Sequence, residues 1–269
     1  MKTLGYYNGR YDELDKMMIP MNDRVCWFGD GVYDAGPCRN YNIFALDEHV
    51  DRFFNNAGLL QIEMPCTKEE LKGLLCSLVH KMDTGSLFVY YQVTRGTAAR
   101  THEFPQEARA NLWVTLKPLP SPELTEKIRL ITLEDTRFLH CNIKTLNLIP
   151  SVMAAQKASE AGCQEAVFHR GGRVTECAHS NCHILKDKTL YTAPADNLIL
   201  PGIARAHLIK ICKKLGISVK ETPYTVEELM EADEILITSS SKFCMSASHV
   251  DDVPAGGKRR SCWSGFRRQ

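Results

Sequence analysis

The chain has 269 residues, 44% of them hydrophobic and 24% charged, an ordinary globular composition with length for one large domain or two modest ones. A formal net charge of +1 supplies no overall field for nucleic acid or an acidic membrane surface. No stretch approaches the roughly 20 apolar residues of a membrane span, and Met1 to Asp15 holds no apolar run long enough for the core of a signal peptide. The 11 cysteines are odd in number, scattered from Cys26 to Cys262 and without a Cys-x-x-Cys pair. They read as reduced cytosolic thiols acting as small hydrophobes rather than a disulfide framework.

In chain order, Tyr6 to Arg10 predicts a strand and turn built on Asn8-Gly9. Ala45 to Leu60 has helical spacing, with Leu46, Val50, Phe53, Phe54 and Ala57 on one side and Asp47 or a neighbour as the cap. Thr67 to Lys81 predicts a second amphipathic helix, opened by a Thr67-x-x-Glu70 capping box. Ser86 to Arg95 and Ala110 to Leu116 are rich in strand formers, and the loop between them carries Arg100-Thr101-His102. Lys117-Pro-Leu-Pro-Ser-Pro122 has three prolines in five residues, an extended connector that marks a domain boundary, with residues 1–117 before it and 123–269 after it. Beyond it, Lys127 to Leu133 reads as a strand. Thr145 to Gly162 reads as a helix that tolerates Pro150 only near its first turn. Glu165 to Arg170 and Arg173 to Glu176 flank Gly171-Gly172 as a hairpin. Ile203 to Leu215 and Val226 to Ala232 read as helices and Glu234 to Thr238 as a short strand. Strands and helices mix without regular alternation, so the fold class is α+β in two domains.

Four features carry chemistry. Lys144, in His140-Cys-Asn-Ile-Lys-Thr-Leu-Asn147, lies among apolar and small polar residues, where desolvation would free an amine for imine formation. Glu176 leaves the hairpin toward a turn of small residues, as a carboxylate facing a pocket would. Leu200-Pro-Gly-Ile-Ala-Arg205 opens a helix whose first amides, those of Ile203 and Ala204, make an anion site. Thr238-Ser-Ser-Ser241 offers hydroxyls to the same anion. Taken singly, each has a plainer reading: a solvated lysine, a strand-end acid in a surface ion pair, a helix start that binds nothing, and a polar turn.

Together with the local wording they resemble the fold-type IV pyridoxal-phosphate enzymes, and within them the D-amino acid aminotransferases. The resemblance runs from about Tyr7 to Val250. It is carried by Phe28-Gly-Asp-Gly-Val-Tyr-Asp34, Glu48-His-Val-Asp-Arg52, Gln92-Val-Thr-Arg-Gly-Thr97 with Arg100-Thr-His102, Asn142-Ile-Lys-Thr-Leu-Asn147, Val174-Thr-Glu176 with Ser180-Asn181, and Leu200-Pro-Gly-Ile203. It implies a small α+β N-terminal domain and a larger domain with a barrel-like sheet that carries the Schiff-base lysine, with pyridoxal 5'-phosphate between them. Lys144 would take the cofactor aldehyde and move the α-proton, and Glu176 would pair with the ring nitrogen. Arg52 and the amides of Ile203 and Ala204 would hold the phosphate, with Ser239 and Ser240 close by. Tyr33, Arg100 and His102 would gather the substrate carboxylate, the last two reaching in from the other subunit of a homodimer. The implied activity is ping-pong transamination between a D-amino acid and a 2-oxo acid in the cytoplasm, with no nucleic acid, membrane or metal. Branched-chain aminotransferases and aminodeoxychorismate lyases resemble the lysine and glutamate blocks, but the Arg100-x-His102 pair is not expected of them; a non-catalytic cofactor-binding protein is the rival from another class.

Two departures stand out. The family's small-residue turn reads here Glu176-Cys-Ala-His-Ser-Asn181, so Cys177 replaces a glycine and His179 adds an imidazole near the expected cofactor. Cys177, His179, Cys182 and His183 fit no standard zinc spacing, and a repacked pocket floor is the expectation. After Gly257-Lys258 the family continues as an amphipathic helix, whereas this chain ends in basic Arg259 to Gln269. That end reads either as disordered or as a shifted reading frame whose alternative reading restores a family-like helix.

Overall fold

The computed structural model describes residues 1–120 and 126–257. Ser121 and Pro122 of the proline-rich seam and the tail from Arg259 to Gln269 lie outside the described residues. The chain divides into two compact units: Met1–Ser121 with Ile143–Asn147, and Pro122–Asn142 with Leu148–Gln269.

The first unit is built on six strands: β1 (Leu4–Tyr7), β2 (Arg10–Asp12), β3 (Gly31–Arg39), β4 (Asn42–Ile43), β5 (Leu87–Thr94) and β6 (Asn111–Pro118). They form one antiparallel sheet in the order β2-β1-β6-β5-β3-β4. The helices are a short α1 (Arg24–Phe28), α2 (Leu46–Leu59) and α3 (Lys68–Val79). The two-residue period of the strands decides what each face does. Leu87, Val89, Tyr91 and Val93 of β5 point into a core with Val50, Phe53 and Ala57 of α2 and Leu71, Leu75 and Leu78 of α3. The expected capping box of α3 is present, with Thr67 and Glu70 bonding reciprocally. The expected acidic cap of α2 is not: the position is filled by Ala45 in a left-handed conformation, with no side-chain bond.

The second unit holds β7 (Ile128–Glu134), α4 (Ile149–Glu160), β8 (Glu165–Arg170), β9 (Arg173–Cys177), β10 (Asn181–Lys186), β11 (Thr189–Thr192), α5 (Ile203–Lys214), β12 (Ser218–Glu221), α6 (Val226–Glu231), β13 (Glu234–Ser239), β14 (Phe243–Val250) and β15 (Val253–Pro254). The main path of its sheet is β12-β11-β10-β13-β14-β7-β8-β9, with β15 on β14. β10 follows β9 after only Ala178, His179 and Ser180, yet β13, β14, β7 and β8 separate them along the sheet. Three residues cannot span the width of four strands laid flat. The sheet therefore curls back on itself, with Cys177 N donating to Ser180 O at 2.8 Å in the turn that carries β9 to β10. Leu130, Val167, Val174, Ile184, Ile235 and Ile237 fill the inside of the curl. At the β8–β9 hairpin Gly171 and Gly172 have φ of 53° and 83°, the left-handed pair that a tight two-residue turn requires.

One element differs from the reading of the sequence at a place that matters. The helix expected from Thr145 starts at Ile149, with Pro150 in its first turn. Ahead of it, the run Lys144–Leu146 lies along β3: Thr145 bridges Val32, Tyr33 N donates to Lys144 O at 3.0 Å, and Leu146 N donates to Gly31 O at 3.2 Å. Backbone groups bonded to a strand are withdrawn from a helix, and proline admits the helix only behind it.

Candidate active site

In the first unit Lys144 is half-buried rather than enclosed. Its backbone is tied to β3, and its amine lies 4.3 Å from the ring centroid of Tyr33. Tyr33 stacks in turn on Tyr90, with centroids 5.4 Å apart. Tyr33 pairs with Gln92 across the ladder and Asp34 with Tyr91, so these two neighbours take opposite faces of the sheet. Tyr33 faces away from the helices, together with Tyr90. Burial, and secondarily Tyr33, pushes the Tyr90 phenol far above its ordinary range, so it stays a neutral donor, bonded to Gln92 Oε1 at 2.7 Å.

Asp34 turns to α2. It is fully buried and accepts from Arg52 twice, Nε to Oδ2 and Nη2 to Oδ1, both at 2.8 Å. It also accepts from His49 Nδ1 at 2.7 Å and from the amide of Ala35 at 2.8 Å. Burial alone would raise this carboxyl, but the Arg52 charge and the bonds from His49 and Arg52 outweigh it and hold Asp34 far below the ordinary carboxylate range. Arg52, whose side chain is 10% exposed, is thus a fixed cation. The reading of the sequence missed Asp34 and His49. The signal was there in their blocks, since His49 and Arg52 stand three apart and share a face of α2.

Arg100 and His102 are exposed, yet the segment that carries them is pinned. Arg24 donates to Asp30 at 2.7 Å and to Thr101 O at 2.7 Å, and Arg95 holds Asp30 from the other side at 2.9 Å. Both side chains gather on Phe28: the Arg100 guanidinium is 5.3 Å from the ring centroid and the His102 ring also 5.3 Å. Arg100 thus pairs with His102, and Lys144 with Tyr33. No hydrogen bond or ring contact joins these two pairs among the described residues.

In the second unit Glu176 is buried and fully engaged. Its Oε1 accepts from Arg137 Nη1 at 2.5 Å, and its Oε2 accepts from Asn181 Nδ2 at 2.9 Å and from the amide of Leu200 at 3.0 Å. Arg137 is itself clamped by Asp135, at 3.0 and 2.9 Å, and burial of Asp135 is outweighed by those bonds, which hold its pKa down. Asp135 and Arg137 carried no role in the sequence reading, because nothing local marks them. Asn181 links the carboxylate to the start of α5, since its Nδ2 also donates to Leu200 O at 2.9 Å. Gly202 is the N-cap of α5 and no side chain caps it, so the first-turn amides of Ile203 and Ala204 have no side-chain partner at the positive helix end. A Cβ on Gly202 would fall 2.1 Å from Asn181 Oδ1, so glycine is needed there for close approach and not for an unusual φ. Ser239 ends β13 and accepts from the amide of Lys242 at 3.2 Å; Ser240 lies in the following turn.

At the altered turn the His179 side chain is 56% exposed and pairs with buried Glu165 at 2.5 Å. Cys177 and Cys182 are buried in the apolar core of the curl. Among the described residues no group of three His, Cys, Asp or Glu is placed to hold a metal.

Each unit thus offers groups of its own: the first an amine with a fixed backbone and a fixed guanidinium, the second a buried carboxylate anchored by Arg137 and an uncapped helix start of the kind that suits a phosphate. Comparison with known proteins gives the family. Residues 31–250 match the family model described as Amino-transferase class IV. The chain is 40% identical to the D-alanine aminotransferase of Listeria monocytogenes over 265 residues, covering 96% of this chain and 91% of that protein. It is 36% identical to the D-alanine aminotransferase of Bacillus licheniformis, covering 95% and 90%. In fold it is similar to the branched-chain amino acid aminotransferase of Escherichia coli, with a TM-score of 0.90 at 21% identity, covering 100% of this chain and 92% of that one.

Proposed function

The chain belongs to the class IV aminotransferases, and on that premise we propose that it transfers the amino group of a D-amino acid to a 2-oxo acid, with pyridoxal 5'-phosphate as its resident group. The observation that carries this reading is Lys144, whose backbone is bonded to β3 and whose amine rests on Tyr33. When bound, the cofactor supplies an electron sink for the carbanion formed at the substrate's α-carbon.

The residues of the chain do the rest. Lys144 would hold the aldehyde and carry the α-proton, and its tie to β3 limits the side chain to a short arc. Glu176, anchored by Arg137 and Asn181, would be the carboxylate that pairs with the ring nitrogen. Arg52, fixed by Asp34, and the amides of Ile203 and Ala204, with Ser239 and Ser240 beside them, bind the phosphate. Tyr33, Arg100 and His102 bind the substrate carboxylate, a planar guanidinium and an imidazole making a rigid donor set.

The D-enantiomer is supported by the two D-alanine aminotransferases named above and by the Arg100–His102 pair. The likeness to branched-chain enzymes is one of fold alone. The working form is a homodimer: Leu148, Ile149, Val152 and Met153 of the α4 region are 38 to 72% exposed, an apolar strip that a second copy would cover. We place the enzyme in the cytoplasm, a reading supported by cysteines that are all free among the described residues. The two compact units correspond in this reading to the two expected domains, with Lys144 carried back to the first.

The test is a spectral half-reaction screen with paired D- and L-amino acids on the purified protein. D-amino acids are expected to convert the bound aldehyde chromophore to the amine form far faster than their enantiomers. Faster reaction of the L-series would overturn the substrate reading, and absence of any chromophore would overturn the cofactor.

A further inference from the structure

The sheet face beneath α5 changes character along the helix. Under its middle and end it is apolar, with Leu190 and Leu236 packed against Leu208, Ile209 and Cys212. Under its first turn it is polar. His183 of β10 is fully buried, its Nδ1 2.8 Å from Thr192 Oγ1 and its Nε2 2.8 Å from Thr238 Oγ1. Thr192 Oγ1 also accepts from Nε of Arg205, in the first turn of α5, at 3.2 Å. Asn181, two residues before His183 and so on the same face, approaches Gly202. A polar chain therefore runs from α5 through Thr192 and His183 to the end of β13, and Arg205, His183, Thr192 and Thr238 are all at most 5% exposed.

Packing does not account for it. An apolar side chain at 183 would extend the adjoining core, and burying an imidazole in its place costs stability unless both nitrogens are bonded. Burial, with Arg205 nearby, holds the His183 pKa down at about 3, so the ring is neutral and has one donor and one acceptor nitrogen. Each nitrogen has a threonine hydroxyl at hydrogen-bond distance, so the ring bridges Thr192, which also accepts from Arg205, and Thr238, the residue that precedes Ser239 and Ser240.

We propose that His183, bridging Thr192 and Thr238, is a positioning residue that fixes the first turn of α5 against the Thr238–Ser240 end of β13, and so preorganises the seat of the cofactor's phosphate. The inference rests on the phosphate reading given above for Ile203, Ala204, Ser239 and Ser240.

Two probes separate the ideas. Pyridoxal phosphate and pyridoxal, which lacks the phosphate, are titrated into full-length protein freed of cofactor and followed by tryptophan fluorescence. His183→Phe should weaken pyridoxal phosphate about tenfold and leave pyridoxal nearly unchanged. His183→Gln, which can accept at one end and donate at the other, should recover most of the loss. Equal weakening of both probes marks a general packing defect and overturns the inference, as does an unchanged ratio of the two affinities. If the wild-type protein fails to prefer the phosphorylated probe, the phosphate reading itself fails. A further arm needs no variant: histidine 15N shifts of the wild-type protein should show one ring that stays neutral between pH 8 and about 5. A spectrum in which every histidine ring titrates in that range overturns the inference.

Discussion

Asp34→Asn changes one atom and removes one buried charge. In the wild-type chain that carboxylate is fully buried and faces Arg52 through two 2.8 Å bonds, with His49 on the same oxygen as one of them. The variant turns an amide group toward a guanidinium that remains 10% exposed and unable to release its proton. Removing one member of a buried, hydrogen-bonded ion pair costs about 3–5 kcal/mol. At roughly 2–4 °C per kcal/mol for a chain of this size, the melting temperature should fall by about 10 °C. The pH dependence has a definite sign. The folded-state pKa of Asp34 is depressed, so its stabilisation is complete above the unfolded value of about 3.9 and is lost as pH falls toward the folded one. Calorimetric melts of both proteins should therefore differ by a constant amount from about pH 8 to 5, and the gap should narrow below about pH 4. Adding Arg52→Met to the variant should restore part of the loss, since no orphan cation is left. Melting within about 2 °C of wild type at pH 7, or a gap that widens in acid, would refute the argument.

The remaining expectations concern the site. Lys144→Ala should abolish turnover with little change in melting temperature, because the backbone bonds that tie this run to β3 do not involve the side chain; borohydride treatment and peptide mapping of the wild-type enzyme should place the cofactor on Lys144 and no other lysine. Glu176→Gln should retain cofactor but slow α-proton removal in stopped-flow half-reactions, on the order of a hundredfold or more, and near-wild-type rates would remove Glu176 from the mechanism. Arg100→Ala should weaken the amino-acid and oxo-acid half-reactions alike, by about a hundredfold in kcat/KM; mixing it with Lys144→Ala subunits should restore activity, and persistent inactivity of the mixture would count against a site shared across a dimer. Gly202→Ala should cost about 1–3 kcal/mol in denaturant melts and loosen cofactor binding, because the added methyl collides with Asn181 Oδ1.

Several features of this protein are written locally. The Thr67–Glu70 capping box, the Gly171–Gly172 hairpin and the start of α5 after Gly202 depend on contacts within a few residues, and each appears where its sequence signal stands. The helical face of α2 is equally local, since a 3.6-residue period in apolar side chains needs no partner to be read. Lys144, Glu176 and the Arg100-x-His102 pair stand out for another reason: their blocks resemble a family, and the roles proposed for them rest on that similarity rather than on spacing.

Tertiary structure decided the rest. β3, β10, β11, β12 and β14 give weak local signals; although β10 with β11 and β13 with β14 form local hairpins, the sheet also depends on ladders between strands distant in the chain, β3 with β5, β10 with β13, β11 with β12 and β14 with β7. The extended run at Lys144 could not be read from residues that favour a helix, since its bonds go to Gly31 and Tyr33 over a hundred positions earlier. The partner of His179 was likewise hidden in the sequence: buried Glu165 is brought alongside it by the pairing of β8 with β9. Asp34 and Asp135 are ordinary acids in the sequence; each gains its role when the fold places an arginine against it in a site from which water is excluded, where a charge must be paired to persist.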